Sequence, residues 1–510
     1  MRTKSKNRLF TNMFSYALLQ IVNMLVGLFL PRLYLEVYGS EINGAVSTIN
    51  SFTSYFHYLE AGLGLTLIHS LFKPLADNNT KELNGILSYS KKQYQKISFL
   101  YFILVVAFSL VFPRLKSIHD IGQTEFTLLI LVIGIYGSLD FYTMSKYRVL
   151  LTADRKEYII SYAMILAQFL RFIFVWILLK FNLSVVVVKI VPIFTLFARS
   201  VILRVYIKRK YKNIDYNSKE RISVKTTKEH WDALILQISI STAISLPTIL
   251  VSQFLGYKEA NVYAVYSLVI SSMISITSSL SSGLAPMLGR SISQGKNIIK
   301  EYEILDFVVA FIIAVIFSTT AVMMLPFVEL YTNVVDDINY IHPEFAIFMS
   351  IWGAIYVYRI PVTAVVNAAG IYRENRVNNI VNLLIQVTLG VVSVWFFKVS
   401  GLIIVMIIAA VQRNISLSVV NSRAILHSDI KDSILYHIVL IILIVGSYFM
   451  WGSILPTMEY DVFRWVIVSV IVASVEVLIC SCVFFMVNRK VAIMVLDMIK
   501  SKLLPSEKRG

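Results

Sequence analysis

The chain has 510 residues, of which 57% are hydrophobic and 15% charged, with a net charge of +17 and a mean hydropathy of +0.72. Soluble globular proteins run about 45–50% apolar and about 25% charged. This composition therefore excludes a soluble enzyme, a disordered chain and a secreted disulfide scaffold. On a soluble domain so basic a balance would point to nucleic acid. Here the basic residues fall between apolar runs, where they orient a protein in a bilayer, so no nucleic-acid partner is expected.

A membrane span takes about 20 apolar residues. In chain order the sequence has fourteen such runs, at 10–33, 42–71, 97–114, 123–145, 158–180, 184–207, 233–255, 262–288, 304–328, 343–366, 379–397, 401–421, 434–453 and 465–487. The first run follows Arg2, Lys4, Lys6 and Arg8 and ends in Phe29-Leu30-Pro31-Arg32. With no small-residue cleavage site, it is read as a retained helix rather than a signal peptide. The N-terminus, alternate loops and the C-terminal tail carry 34 Lys and Arg, against seven in the other loops and six inside runs. This bias predicts a multi-pass protein of the cytoplasmic membrane with both termini in the cytoplasm.

The stretch 208–232 is the most polar in the chain and is expected to link two halves. The expected fold is all-α, with residues 1–215 as an N-terminal lobe of six spans and 216–425 as a second lobe of six. Residues 426–510 add two further spans and a cytoplasmic tail. The lobes are expected to rock about 208–232, with Gly62, Gly64 and Pro286 as bending points. Arg489 to Leu504 reads either as an amphipathic surface helix or as a solvated basic tail. Cys480 and Cys482 sit two apart in one run, and the seven histidines show no HxxxH spacing, so neither a disulfide nor a metal site is expected.

A weak internal repeat supports two lobes. Leu19-Gln20-Ile21 recurs as Leu236-Gln237-Ile238, Tyr38-Gly39 is echoed by Leu255-Gly256, and Glu41-x-Asn43 by Glu259-x-Asn261. Six spans separate the copies, so the repeat is parallel, and transporters built this way bind substrate near the membrane midplane.

Polar residues recur at helical spacing in four runs. The first has Asn12, Tyr16, Gln20, Asn23 and Gly27. The second has Asn43, Ser47, Asn50, Ser54, His57 and Glu60. Serine and threonine stripes mark the seventh, beyond Gln237, and the eighth. Such stripes either line a hydrated cavity or let helices pack closely. The larger groups Gln20, Asn23, Asn50, His57, Glu60 and Gln237 are the cavity-lining candidates.

Charges inside spans are a sharper signal, because each costs about 2.5–3.5 kcal/mol at the midplane and needs a partner, water or a use. Arg171, Arg359 and Arg413 lie well within runs, and Glu60, Asp140 and Glu476 are the corresponding acids. Lys189 and Arg204 are near enough to span ends to snorkel. Guanidinium suits bidentate phosphate contact, so Arg171, with Arg32 at the outer end of the first run, is expected to bind an anion. Arg359 and Arg413 are further candidates. The alternative for Arg171 is a structural ion pair with Glu60 or Asp140. The sequence has no nucleotide-binding motif and no recognisable catalytic arrangement, and the loops predicted to be external are short.

These residues resemble a known family. Pro31-Arg32 with Tyr38-Gly39-Ser40-Glu41-Ile42-Asn43-Gly44 is similar to the junction of helices 1 and 2 in bacterial polysaccharide exporters. Those belong to the multidrug/oligosaccharidyl-lipid/polysaccharide flippase superfamily. Glu60-Ala61-Gly62-Leu63-Gly64 resembles their Asp-Leu-Gly-Leu-Gly signature, with Glu-Ala in place of Asp-Leu. Ala368 to Arg376 followed by Asn382-Leu383, and Gly401-Leu402, resemble their later helix junctions. The resemblance implies two six-helix lobes around a cavity, often with two added helices. It also implies export of undecaprenyl-pyrophosphate-linked oligosaccharide repeat units for capsule or exopolysaccharide, by alternating access. Membrane lipids and a polysaccharide polymerase are the implied partners. No cofactor is implied, and the coupling cation, if there is one, stays open. A multidrug/cation antiporter of the same fold is the alternative, and a membrane polymerase or glycosyltransferase the competing class.

Overall fold

The computed structural model describes residues 2–60, 62–211, 213–218, 229–279, 298–369, 375–423, 431–455 and 461–503. Among them there is no β-strand. The helices are α1 (Arg2–Phe56), α2 (Leu63–Ala76), α3 (Thr80–Leu115), α4 (Gln123–Thr143), α5 (Ser145–Ala153), α6 (Glu157–Lys180), α7 (Val185–Val188), α8 (Val191–Lys210), α9 (Glu229–Phe254), α10 (Tyr257–Ser279), α11 (Ile299–Thr332), α12 (Pro343–Tyr358), α13 (Ile360–Ala369), α14 (Asn375–Asn421), α15 (Lys431–Ile454), α16 (Val462–Val487) and α17 (Arg489–Leu503).

Eleven described segments are long and apolar enough to cross a membrane. Val377–Asn421 holds two of the expected runs, Thr11–Glu60 holds nearly all of the first and most of the second, and α9 covers nearly all of the run at 233–255. Each of the fourteen runs thus lies on helix over its described residues. Their outward faces are apolar: Trp395, Phe396 and Phe397 are each more than 70% exposed, and so are Phe463 and Met486. On segments this long and apolar, a lipid bilayer is the cover that surface fits. The chain is a multi-pass, all-helical membrane protein.

Where runs join without a loop, the backbone breaks instead. Gly39, at φ 70° and ψ −179°, interrupts α1, a conformation glycine adopts without steric penalty. Before the break, Leu30 and Tyr34 pack with Val175, Leu179, Val188 and Val191 of α6, α7 and α8. After it, Ile42, Ala45, Val46 and Ile49 pack with Phe112, Phe126, Leu129 and Ile130 of α3 and α4. Gly256, the repeat partner of Gly39, also has a positive φ, 110°. The other repeated pair meets directly, Asn43 Nδ2 donating to Asn261 Oδ1 at 2.9 Å. Both glycines of the Gly39 and Gly256 pair thus sit at positive φ. In α14 the break falls at Lys398, φ 52° and ψ −141°, a positive-φ conformation that non-glycine residues rarely adopt.

The chain divides into two compact units, Met1–Asn261 and Val262–Gly510. In the first, α9 lies against the second half of α1. Ser54 and Ser245 share a hydrogen bond of 2.9 Å, and Tyr55 reaches Thr242. A Cβ on Gly44 would run into the Tyr257 carbonyl oxygen, so glycine is what allows this approach. The start of the polar stretch 208–232 is docked on the same unit. Tyr211, Ile214 and Tyr216 pack on its core, Asn84 bonds the Asn213 carbonyl and the Asp215 amide, and Lys91 donates to Asn217 at 2.6 Å. Three side chains of this first part are apolar or aromatic, and they hold it on the unit. Gly62 caps α2 in the left-handed region, φ 80°, after a 3-10 turn over His57–Glu60. Pro286 lies outside the described residues.

In the second unit α11 packs with α12, α15 and α16. Phe307, Tyr436 and Phe484 form an aromatic cluster, and Glu476 of α16 accepts hydrogen bonds from Ser447 and Trp451 of α15, at 2.8 and 2.9 Å. The last two spans are thereby fastened to each other. Cys480 and Cys482 are free thiols.

Candidate functional site: buried cations without acids

Packing of the first half of α1 on α6 fixes the site. Asn12 accepts from the Tyr158 amide and donates to the Arg155 carbonyl, and Gln168 donates to Asn23 Oδ1 at 2.9 Å. One helical turn beyond Gln168, Arg171 lies within electrostatic reach of Tyr34 of α1, whose hydroxyl is buried without a hydrogen-bond partner. Lys189, between α7 and α8, sets its Nζ 3.6 Å from the Tyr34 ring centroid, a close cation–π contact.

Lys189 is 8% exposed and within electrostatic reach of Arg171. The expectation that it snorkels to the membrane surface is overturned. The short α7 ends at Val188, and Pro192 opens the next helix; this break directs Lys189 inward. Neither cation has a carboxylate within ion-pair distance among the described residues, and Arg171 Nε is buried without a hydrogen-bond partner. Two basic side chains share a buried tyrosine, an arrangement in which burial and mutual repulsion disfavour holding both charges unless an anion binds.

The acids that might have paired with Arg171 are engaged elsewhere. Asp140 of α4 bridges Arg199 of α8 and Arg148 of α5, the latter at 3.2 Å. Glu60 accepts from Tyr94 at 2.6 Å and lies in the field of Arg148. His57 stacks edge-on to Tyr101 and against Phe141. This group of Glu60, Asp140, Arg148 and Arg199 balances its own charge.

The remaining candidates are scattered. Arg32 is half-buried and two residues from Tyr34, so it leaves α1 on another face. Gln20 is half-buried, while Asn50 and Gln237 are exposed. Ser241, Ser245, Thr248 and Ser252 of α9 are buried, the close-packing outcome for that stripe. In the second unit, Arg359 closes α12 with its guanidinium 3.9 Å from the Tyr356 ring centroid. Arg413 of α14 is buried and feels the charge of Arg359. Each unit therefore holds a pair of basic side chains around a tyrosine. Among the described residues no group of three or more His, Cys, Asp or Glu could hold a metal ion.

No protein-family model and no curated protein matches the chain. Solved structures do. An inward-facing multidrug resistance MATE family transporter of the MOP superfamily superposes with a TM-score of 0.61 at 13% identity, covering 79% of this chain and 99% of that one. The lipid II flippase MurJ in an inward closed conformation gives 0.61 at 13% identity, covering 93% and 98%. The eukaryotic MATE transporter AtDTX14 gives 0.52 at 14% identity, covering 87% and 96%. The chain has the fold of these transporters. The likeness to MurJ extends over more of this chain than the likeness to the first MATE structure.

Proposed function

We propose that the protein is a flippase that moves an undecaprenyl-pyrophosphate-linked oligosaccharide across the cytoplasmic membrane for capsule or exopolysaccharide synthesis, by alternating access. The observation that carries this reading is the pair Arg171 and Lys189 beside Tyr34, with Lys189 and the Nε of Arg171 buried and no carboxylate within ion-pair distance among the described residues. Such a pair suits a diphosphate and repels a cationic drug. Support for a lipid-linked cargo comes from the fold shared with a lipid II flippase and from the sequence resemblance to polysaccharide exporters. Membrane lipids are its surroundings, and a polysaccharide polymerase would take its product.

A strain lacking the gene should accumulate lipid-linked repeat units on the cytoplasmic side, which lipid extraction and mass spectrometry detect. A polymerase mutant would instead export single units. If the deletion leaves lipid-linked units at the wild-type level while sensitivity to cationic drugs rises, the multidrug reading replaces this one.

A further inference from the structure

We propose that α17 lies on the cytoplasmic leaflet and binds anionic phospholipid headgroups through a stripe of Arg489, Ile493, Leu496 and Lys500, with Lys490 at its edge. The inference concerns the membrane itself and holds whichever cargo the protein carries.

The sequence allows this segment two fates, a surface helix or a solvated tail, and the packing separates them. With the termini cytoplasmic, as the charge bias predicts, α16 runs inward and stops before Asn488, whose backbone leaves the helical region at φ −142° and ψ 71°. Asn488 Oδ1 accepts from the Val491 amide at 3.3 Å, which caps α17. Its Nδ2 donates to the Tyr436 hydroxyl of α15 at 3.2 Å. A single residue therefore separates a membrane span from α17, so the helix begins at the membrane surface. Nor does it run on freely into the cytoplasm. Val491 and Ala492 are buried, and α17 packs on α11 and α16.

Protein covers one face of α17 and leaves another open. Arg489, Ile493, Leu496 and Lys500 are all exposed, at spacings of four, three and four, which is one stripe of a helix. Two apolar side chains, each more than 40% exposed, thus lie between two cations. Phe485 at the end of α16 is exposed as well, and the Arg489 guanidinium is 5.9 Å from its ring centroid, so the stripe continues the lipid-facing surface of the last span. The helix carries four Lys and Arg against one acid, Asp497. Helices of this kind sink their apolar residues about 5–10 Å into the headgroup boundary. An anionic cytoplasmic leaflet adds about fivefold in affinity for each base near it. Seated there, α17 holds the cytoplasmic ends of α11, α15 and α16 to the leaflet, because Tyr436 in turn stacks with Phe484 and meets Phe307.

The test uses the full-length protein with Cys480→Ala and Cys482→Ala, carrying an environment-sensitive fluorophore on Leu496→Cys, in nanodiscs. Replacing part of the phosphatidylcholine with phosphatidylglycerol should move the emission to shorter wavelength. About 1 M salt, where the Debye length is about 3 Å, should reverse most of the move. Arg489→Gln, Lys490→Gln and Lys500→Gln together should abolish it, an expected loss of about a hundredfold in affinity at about fivefold per base. The charge-conserving set Arg489→Lys, Lys490→Arg and Lys500→Arg should keep it, since a leaflet reads charge and not the shape of the cation. The salt titration needs no charge variant and decides the question even where the glutamine set misfolds. Emission typical of water in both lipid compositions would make α17 a solvated helix and overturn the proposal. A shift of equal size in pure phosphatidylcholine, one that salt leaves unchanged, or one that the glutamine set retains would show apolar contact without headgroup recognition and overturn it too. So would a shift that appears only when a cytosolic protein fraction is added, which would assign the face to a protein partner.

Discussion

Replacing Arg171 with alanine should abolish export of lipid-linked repeat units while the protein remains in the membrane at its normal level. Arg171 sits on α6 beside Tyr34 and Lys189, with its Nε buried and unpartnered. Truncating one side of a buried, hydrogen-bonded charge contact costs about 2–5 kcal/mol, or at least about thirtyfold in the bound step. Arg171→Lys should be partly active, since it keeps the charge and loses the fork. Neither change should destabilise the fold, because Arg171 has no acid to leave unpaired and its neighbour Lys189 repels it. Complementation of a deletion strain, with immunoblotting of membranes, reads both quantities. Normal export by Arg171→Ala would move the anion site to Arg359 and Arg413.

Asp140 should behave in the opposite way. It bridges Arg199 and Arg148, and its loss leaves two arginines facing each other inside unit 1. Breaking a buried pair by removing one partner costs about 3–5 kcal/mol. Asp140→Asn should therefore lower the melting temperature of the purified protein sharply and reduce its yield. Adding Arg199→Gln should recover part of the loss, because the second change removes one of the stranded charges. If Asp140→Asn melts like wild type but fails to transport, the Glu60–Asp140–Arg148–Arg199 group belongs to the transport mechanism and not to the scaffold.

The contrast between these residues was only half legible in the sequence. Bilayer thickness fixes the length of each span, so the apolar runs located the helices. The gaps at 34–41 and 398–400 marked the breaks but read as loops, whereas the helix turns over a single residue in each, Gly39 or Lys398. Intramembrane charge drew attention to Arg171, Asp140 and Glu60, but which acid meets which base depends on helix rotation, and no pattern along one chain encodes it. Lys189 escaped for a related reason. Four residues from a span end, a lysine can snorkel or bury, and only the helix break at Val188–Val191 decides. The serine stripe of α9 shows the same ambiguity resolved toward packing: small polar residues allow both a wet cavity and a tight contact, and here Ser245 meets Ser54. The stretch after Lys210 read as a linker because it is so polar, whereas Tyr211, Ile214 and Tyr216 hold its first part on the core.

The central claim is that this fold carries a lipid-linked diphosphate and not a drug cation. It is tested most directly by reconstituting the purified protein in liposomes and following two cargoes side by side, a fluorescent undecaprenyl-diphosphate oligosaccharide and a fluorescent lipophilic cation. The account predicts transfer of the first, lost in Arg171→Ala, and no transport of the second under any imposed ion gradient. Gradient-driven transport of the cation, with the undecaprenyl-diphosphate oligosaccharide left in its original leaflet, would contradict it.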